Sequence, residues 1–214
     1  MQIISVINQK GGVGKTTTVI NLAAGLSLLN KKVLVIDLDP QGNATTGLGH
    51  SNVDGSEKNI YNALNGSKSV SDIIQKTQID NLDIITSNVD LSGLEVETAG
   101  DNGRAFILRE KLSLFLKANS SNYTHIFIDC PPSLSLLTVM ALVSSNSLIV
   151  PLQTEFFALE GLTQLVKTID RVKDNLNSNL TIRGIILTMY DKRNKLSGQV
   201  EQEARNYFKE KVYS

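Results

Sequence analysis

Short apolar runs punctuate the chain, and each stops at a polar or turn residue. Residues 3–7 run into Asn8 and Gln9, 33–36 into Asp37, 126–128 into Asp129, 148–150 into Pro151 and 185–187 into Thr188. Runs this short, rich in β-branched residues and lacking a polar face, predict strands buried on both sides. Longer segments between them repeat at helical spacing. Residues 104–117 carry Phe106, Ile107, Leu108, Leu112, Phe115 and Leu116, and 160–176 carry Leu162, Leu165, Val166, Ile169 and Val172. Residues 196–211 carry Leu196, Val200, Ala204, Tyr207 and Phe208, and 16–29 form a further helix after a glycine-rich loop. Strands alternating with helices predict a mostly parallel sheet with helices on both faces, a three-layer α/β fold. Core packing explains these stripes, and no function is read into them.

Residues 42–103 are less regular and rich in Ser, Asn, Asp and Gly. A strand over 82–85 and short helices over 60–64 and 70–74 are expected there. No repeat, low-complexity tract or linker divides the 214 residues, so one domain over 1–214 is expected. A single cysteine, Cys130, excludes an internal disulfide and an all-cysteine metal site. No apolar run approaches the roughly 20 residues of a membrane span. The first residues lack the basic flank of a signal peptide. The chain reads as a cytosolic globular protein.

Lysines and arginines number 21, as do aspartates and glutamates, so the net charge is zero. The distribution is uneven. Residues 37–102 hold 11 acids and 3 bases, a net of −8, and the remainder holds 18 bases and 10 acids, a net of +8. A zero total leaves nucleic-acid binding open, because binding needs only a local basic patch.

The sharpest chemical signal is Gln9-Lys10-Gly11-Gly12-Val13-Gly14-Lys15-Thr16-Thr17. It follows a predicted strand and opens a predicted helix, the context of a phosphate-binding P-loop. Glycines let backbone N–H groups approach phosphate oxygens, and the helix start adds a positive dipole end. In this geometry Lys15 reaches the β- and γ-phosphates, Thr16 binds Mg²⁺ and Thr17 supports the α-phosphate. The general pattern opens on a glycine where this chain has Gln9, and an extra lysine, Lys10, stands at the start of the loop. Three acids end neighbouring strands: Asp37 and Asp39 after one, Asp129 after another. Ligands of open α/β sheets bind beyond the carboxyl ends of strands. Asp39 and Asp129 are therefore candidates to hold Mg²⁺, directly or through water, or to orient an attacking water. For Asp37 the sequence leaves metal contact and a structural turn equally open.

At these residues the chain resembles a known family. Lys10-Gly-Gly-Val-Gly-Lys15-Thr-Thr resembles the signature-lysine, or deviant, Walker A motif of the ParA/MinD group of P-loop ATPases. Asp37-Leu-Asp39-Pro-Gln-Gly-Asn-Ala-Thr, Asp129-Cys-Pro-Pro-Ser-Leu, Pro151-Leu-Gln-Thr-Glu-Phe-Phe-Ala-Leu-Glu-Gly-Leu and Thr188-Met-Tyr-Asp-Lys-Arg are similar to chromosomal ParA (Soj-type) partition ATPases. The likeness runs from residue 1 to about 212 and is weakest over 51–103. It implies a three-layer P-loop NTPase fold and a slow ATPase using ATP and Mg²⁺. Lys10 then crosses a homodimer interface to the partner's phosphates, Asp39 positions the hydrolytic water, Asp129 acts on Mg²⁺ through water, and Met189 lies at the nucleotide. The ATP dimer is expected to bind DNA without sequence preference, on the nucleoid of the cytoplasm. A ParB-type centromere-binding protein is expected to release it by stimulating hydrolysis.

DNA contact would fall on Lys192, Arg193 and Lys195, a basic loop before a helix that also carries Arg205, Lys209 and Lys211. Arg193 stands where the family uses an arginine. Members of the family usually continue for about forty residues past this chain's last, with a further strand and a helix that help to hold adenine and add basic surface. An exposed sheet edge is expected in their place. The nitrogenase iron protein shares the loop but needs two cysteines per subunit, so Cys130 is expected to be a buried small hydrophobe. His50 and His125 lack partners for a metal site. Two other readings stay open: a MinD-like membrane-cycling ATPase with no membrane-gripping helix in view, and a non-catalytic interaction protein that keeps the fold.

Overall fold

The structure is a computed structural model that describes residues 1–51, 57–118, 123–155 and 158–213. Phe156 and Phe157 of the quoted Pro151–Leu162 motif lie outside the described residues, as do 52–56 of the irregular segment. In chain order the elements are β1 (Gln2–Val6), α1 (Lys15–Leu28), β2 (Val33–Asp37), α2 (Asn43–Gly47), α3 (Ile60–Leu64), α4 (Val70–Ile73), β3 (Gln75–Lys76) and β4 (Leu82–Ile85). They continue with α5 (Leu94–Glu97), α6 (Ile107–Ala118), β5 (His125–Asp129), α7 (Leu136–Ser144), β6 (Ser147–Gln153), α8 (Ala158–Asn175), β7 (Thr181–Thr188) and α9 (Lys195–Phe208).

Among the described residues the strands form one sheet in the order β3-β4-β2-β5-β1-β6-β7. All neighbours are parallel except β3, which runs antiparallel to β4. Successive side chains of each strand enter opposite cores. Ile4, Val6, Val33, Val35 and Phe127 pack with Val19 and Ala23 of α1 and with Ala44. Ile3, Leu34, Ile36, Ile126 and Ile128 pack on the other face with Leu112, Met140, Leu165 and Val200, from α6, α7, α8 and α9. Burial on both faces is why the strands read as continuous apolar runs without polar alternation. The expected three-layer fold stands.

Helix α7 was not among the predicted elements. It is apolar nearly all round, with Leu136–Ser144 buried at eight of nine positions, so it offers no polar face from which a helical period could be read. The expected helix 104–117 opens as a 3₁₀ turn, Arg104–Phe106, before α6 begins. The expected helix 196–211 ends at Phe208, where Lys209 adopts φ 53 and a 3₁₀ turn follows. β7 lies at the end of the sheet, but its middle is covered. Val212 pairs in parallel with Ile185, and Tyr213 N–H donates to the Ile185 carbonyl at 3.0 Å. Arg205 holds that tail, donating to the carbonyls of Val212 (2.9 Å) and Tyr213 (3.2 Å).

Register sets up the site. Val6 and Asp37 both align with Asp129, so β1, β2 and β5 end at one level. Met140→Ala, at a fully buried position of α7, is expected to destabilise the fold by about 2–5 kcal/mol. Urea unfolding followed by circular dichroism checks this; a midpoint like that of the unaltered chain would show that α7 packs loosely.

Candidate functional site

The loop 8–14 leaves β1 and returns over the carboxyl ends of the strands into α1. Asn8 shapes its start: the side-chain oxygen accepts from Lys10 N–H at 3.0 Å, and the amide donates to the Pro151 carbonyl at 2.7 Å. Gly12 (φ 73) and Gly14 (φ 88) sit in the left-handed region, which a Cβ would strain. Gly14 is also the N-cap of α1. No side chain caps this end and no acid stands in its first turn, so N–H groups at the helix start are left for an anion. Thr188, at the end of β7, ties the loop from above by donating to the Val13 carbonyl at 2.9 Å.

Gln9, which replaces the expected glycine, donates its side-chain amide to the Gly161 carbonyl at 2.9 Å. The departure from the general pattern therefore has a structural role: it fastens the loop to the start of α8. Lys15 lies under the loop, 7% exposed, and donates to the Lys10 carbonyl at 3.0 Å. Burial lowers its pKa, and the charges of Asp129 and Asp39 oppose that shift.

Gly11, Gly12, Gly14, Lys15, Thr16 and Thr17 line a cleft of about 510 Å³. Asp39, Gln41, Asn43, Pro132 and Met189 complete its lining. Met189 is 62% exposed and held at φ 51, an uncommon conformation for a residue with a side chain. Asp39 is buried, and its carboxylate accepts from Gln41 N–H at 3.0 Å.

Asp129 has no exposed surface, and among the described residues neither of its carboxylate oxygens has a hydrogen-bond partner. Thr16 lies close enough to draw its pKa down without making a bond of normal geometry, and Lys15 acts in the same direction. Burial, with the neighbouring Asp37 and Asp39, outweighs both and pushes the carboxyl from 3.8 to about 7. A buried carboxyl left unpaired beside the phosphate loop fits a hydrated cation.

Asp37 differs from the open metal contact that the sequence allowed. One oxygen accepts from the Thr45 N–H and hydroxyl, both at 2.7 Å, and the other from Asp39 N–H at 3.2 Å. It holds the start of α2 in place and is not turned to the cleft. Burial still raises its pKa to about 6, against the pull of the Thr45 bonds. Thr45 in turn accepts from Ser87 N–H at 2.9 Å.

Lys10 does not line the cleft. Its ammonium pairs with Glu155, just past β6. Lys192 and Arg193 are exposed on the loop before α9 and Lys195 is exposed at its first residue; none of the three lines the phosphate cleft. Arg193 makes a bidentate pair with Asp191 at 3.0 and 2.9 Å, with its side chain 91% exposed. Arg205, a further base of α9, is turned to Glu201 and the chain's tail. Cys130 is buried and its thiol is pushed well up by burial, as expected of a small hydrophobe. Asn8, Thr45, Glu155 and Thr188 were not singled out from the sequence as site residues. For Glu155 its place in the quoted Pro151–Leu162 motif was the one available signal.

A glycine loop between strand and helix, a buried lysine and strand-end acids define a P-loop nucleotide-binding protein. The AAA domain family matches residues 1–182. ParA, a chromosome partitioning protein of Caulobacter vibrioides, is 48% identical over 213 residues, covering all of this chain and 79% of that protein. The sporulation initiation inhibitor protein Soj of Bacillus subtilis is 47% identical, covering 99% of this chain and 82% of that protein. The fold is also similar to cobyrinic acid a,c-diamide synthase of Mycobacterium smegmatis, solved with an ATP analogue and magnesium. That likeness has 34% identity and a TM-score of 0.89, over 98% of this chain and 83% of that one. The chain belongs to the ParA/MinD-type P-loop ATPases, with chromosome-partitioning ParA and Soj proteins among its relatives.

Asp37 and Asp129 bind protons more tightly in the fold than in the unfolded chain. Their contribution to stability is therefore full below about pH 4 and is lost as pH rises to about 7. The nucleotide-free Asp129→Asn variant is expected to be more stable than the unaltered chain at pH 8, by about 1–3 kcal/mol. That advantage should shrink toward pH 5. Melting curves at both pH values test this, and a variant less stable at pH 8 would contradict the unpaired-carboxylate assignment.

Proposed function

We propose that this chain is a single-domain, slow partition ATPase that pairs face to face on Mg·ATP, binds DNA non-specifically as a dimer and lets go after hydrolysis. A centromere-bound partner of the ParB type stimulates that hydrolysis, and the cycle runs in the cytoplasm and on the nucleoid. What carries the reading is a complete phosphate cradle whose extra lysine, Lys10, is turned outside its own cleft. The partitioning roles named for the relatives and the nucleotide and magnesium of the M. smegmatis structure support it.

The chemistry follows from positioning and charge. Backbone N–H groups of residues 11–17 receive the phosphates, with Lys15 on the β- and γ-phosphates and Thr17 at the α-phosphate. Thr16 and, through water, Asp129 would hold Mg²⁺, which would supply charge neutralisation on the phosphates. Asp39, steadied by Gln41 N–H, orients the attacking water. Met189 lies at the nucleotide from its place in the cleft lining. Lys10 neutralises γ-phosphate charge in the other protomer, so a lone protomer lacks one cation of the reacting constellation. Pairing thereby depends on nucleotide state, and intrinsic turnover is slow.

Light scattering and nucleotide binding test this. Lys15→Ala is expected to lose Mg·ATP binding, and Lys10→Ala to bind Mg·ATP but remain monomeric. A normal ATP dimer in Lys10→Ala would overturn the trans role. For DNA, Arg193→Glu is expected to weaken binding by the ATP form and to reduce the magnitude of its salt slope by about one or more. Fluorescence anisotropy across a salt series measures both, and an unaltered isotherm would remove Arg193 from the interface.

A further inference from the structure

We propose that Glu155 is the positioning residue for Lys10: it holds the lysine's ammonium outside the protomer's own phosphate cleft and presents it to a second copy. The proposal rests on the trans reading of Lys10 given above.

Lys10 is pulled two ways. Its backbone is built into the cradle: the N–H donates to Asn8 at 3.0 Å and the carbonyl accepts from Lys15 at 3.0 Å. Its side chain leaves the cradle and pairs with Glu155. The two residues line a separate cavity of about 220 Å³ with Asn8, Gln9, Leu152 and Gln153. Neither lines the phosphate cleft.

Glu155 stands on a braced platform. Its own N–H donates to the Gln153 carbonyl at 2.9 Å. The preceding Thr154 is buried and donates to Ser197 of α9 at 3.1 Å. Asn8 ties the loop to Pro151 of β6, and Gln9 ties it to Gly161 of α8. The backbone at Glu155 and the start of the loop are thus fixed relative to each other, and the two side chains meet between them.

A restraint of this kind has a physical purpose. A triphosphate in the cleft is the strongest nearby attractor for a free lysine, and Lys10 starts one residue from the cradle's first glycine. An unrestrained ammonium can fold back onto its own phosphates, and that contact competes with the one across the dimer. A carboxylate carried on a braced backbone beside it favours the outward position and lowers the entropy lost on pairing. The pair is half-exposed, with side chains 46% and 31% accessible. Its effect on dimerisation is therefore modest, about three- to tenfold.

The experiment measures ATP-dependent dimerisation by sedimentation for the unaltered chain, Lys10→Ala, Glu155→Gln and Glu155→Lys. Mg·ATP affinity is measured alongside at protein concentrations where only monomer is present. Glu155→Gln is expected to weaken dimerisation about three- to tenfold, and Glu155→Lys further. Monomer Mg·ATP affinity and melting temperature are expected to stay unchanged. The protein concentration giving half-maximal ATP turnover should rise by the same factor, with the plateau rate retained, a split that a general loosening of the fold would not produce. Dimerisation by Glu155→Gln equal to the unaltered chain overturns the proposal, and tighter dimerisation overturns it by making the pair a brake. If Lys10→Ala loses the dimer while Glu155→Gln keeps it, only this inference fails. If Lys10→Ala itself pairs normally, the trans reading fails with it.

Discussion

The site depends on the parallel register that brings β1, β2 and β5 to a common end. Val6, Asp37 and Asp129 stand at one level because their strands pair in step, and the phosphate loop can only leave β1 there. The alignment crowds negative charge where the sheet is driest. Asp37 and Asp129 are register partners, both without exposed surface, and both titrate far above an ordinary aspartate. The fold resolves the crowding differently at each. Asp37 is satisfied by Thr45 and by the backbone of Asp39. Among the described residues Asp129 finds no hydrogen-bond partner for either oxygen, beside Lys15. A buried carboxyl left so costs stability, which is what the proposed role toward a hydrated cation would offset.

The cradle is held in shape by side chains from elements distant in the chain. Asn8 reaches β6, Gln9 reaches α8, and Thr188 reaches down from β7 to Val13. Behind the cleft lining, Asp37, Thr45 and Ser87 form a chain of bonds from the strand ends to the residues after β4. Such bracing fixes N–H directions before any phosphate is present, which lowers the ordering cost of binding. The same bonds touch the basic loop from both sides. Residues 189–194 begin directly after Thr188, bonded to the phosphate loop, and α9 carries Ser197, bonded to Thr154 beside Glu155. The proposed DNA surface is therefore mounted on the two segments that frame Lys10.

Much of this was legible in the amino-acid order because it rests on local rules. A strand, a glycine turn and a helix start are neighbours in sequence, so the cradle from Gly11 to Thr17 could be read directly. Strands buried on both faces announce themselves as apolar runs, and 82–85 was placed to the residue. What was hidden depends on distance or on the lack of a pattern. Helix α7 has no polar face, so nothing periodic separates it from a strand. The two roles of Asp37 could not be told apart without Thr45, which folds back from α2. Glu155 lies 145 residues beyond Lys10 in the chain, and no spacing rule connects them; only the adjacency of β1 and β6 does.

The uneven charge of the chain acquires meaning from the strand order. Residues 37–102, with a net of −8, supply β3 and β4 at one end of the sheet. The remainder is not concentrated at the other end: residues 130–214, which supply β6, β7 and the helices beside them, hold 10 bases and 8 acids, a net of +2. The acidic excess is thus gathered at one end of the sheet, and the basic excess is spread over the rest. The proposed DNA contacts Lys192, Arg193 and Lys195 are therefore a local exposed cluster, set apart from the acidic β3 end. The bidentate contact with Asp191 tempers Arg193 without removing it from solvent. Surface pairs of this kind contribute little, and the Arg193 side chain stays 91% exposed within this one. Neutrality overall is compatible with a local basic cluster, because the strand order keeps the acidic segment at the opposite end of the sheet.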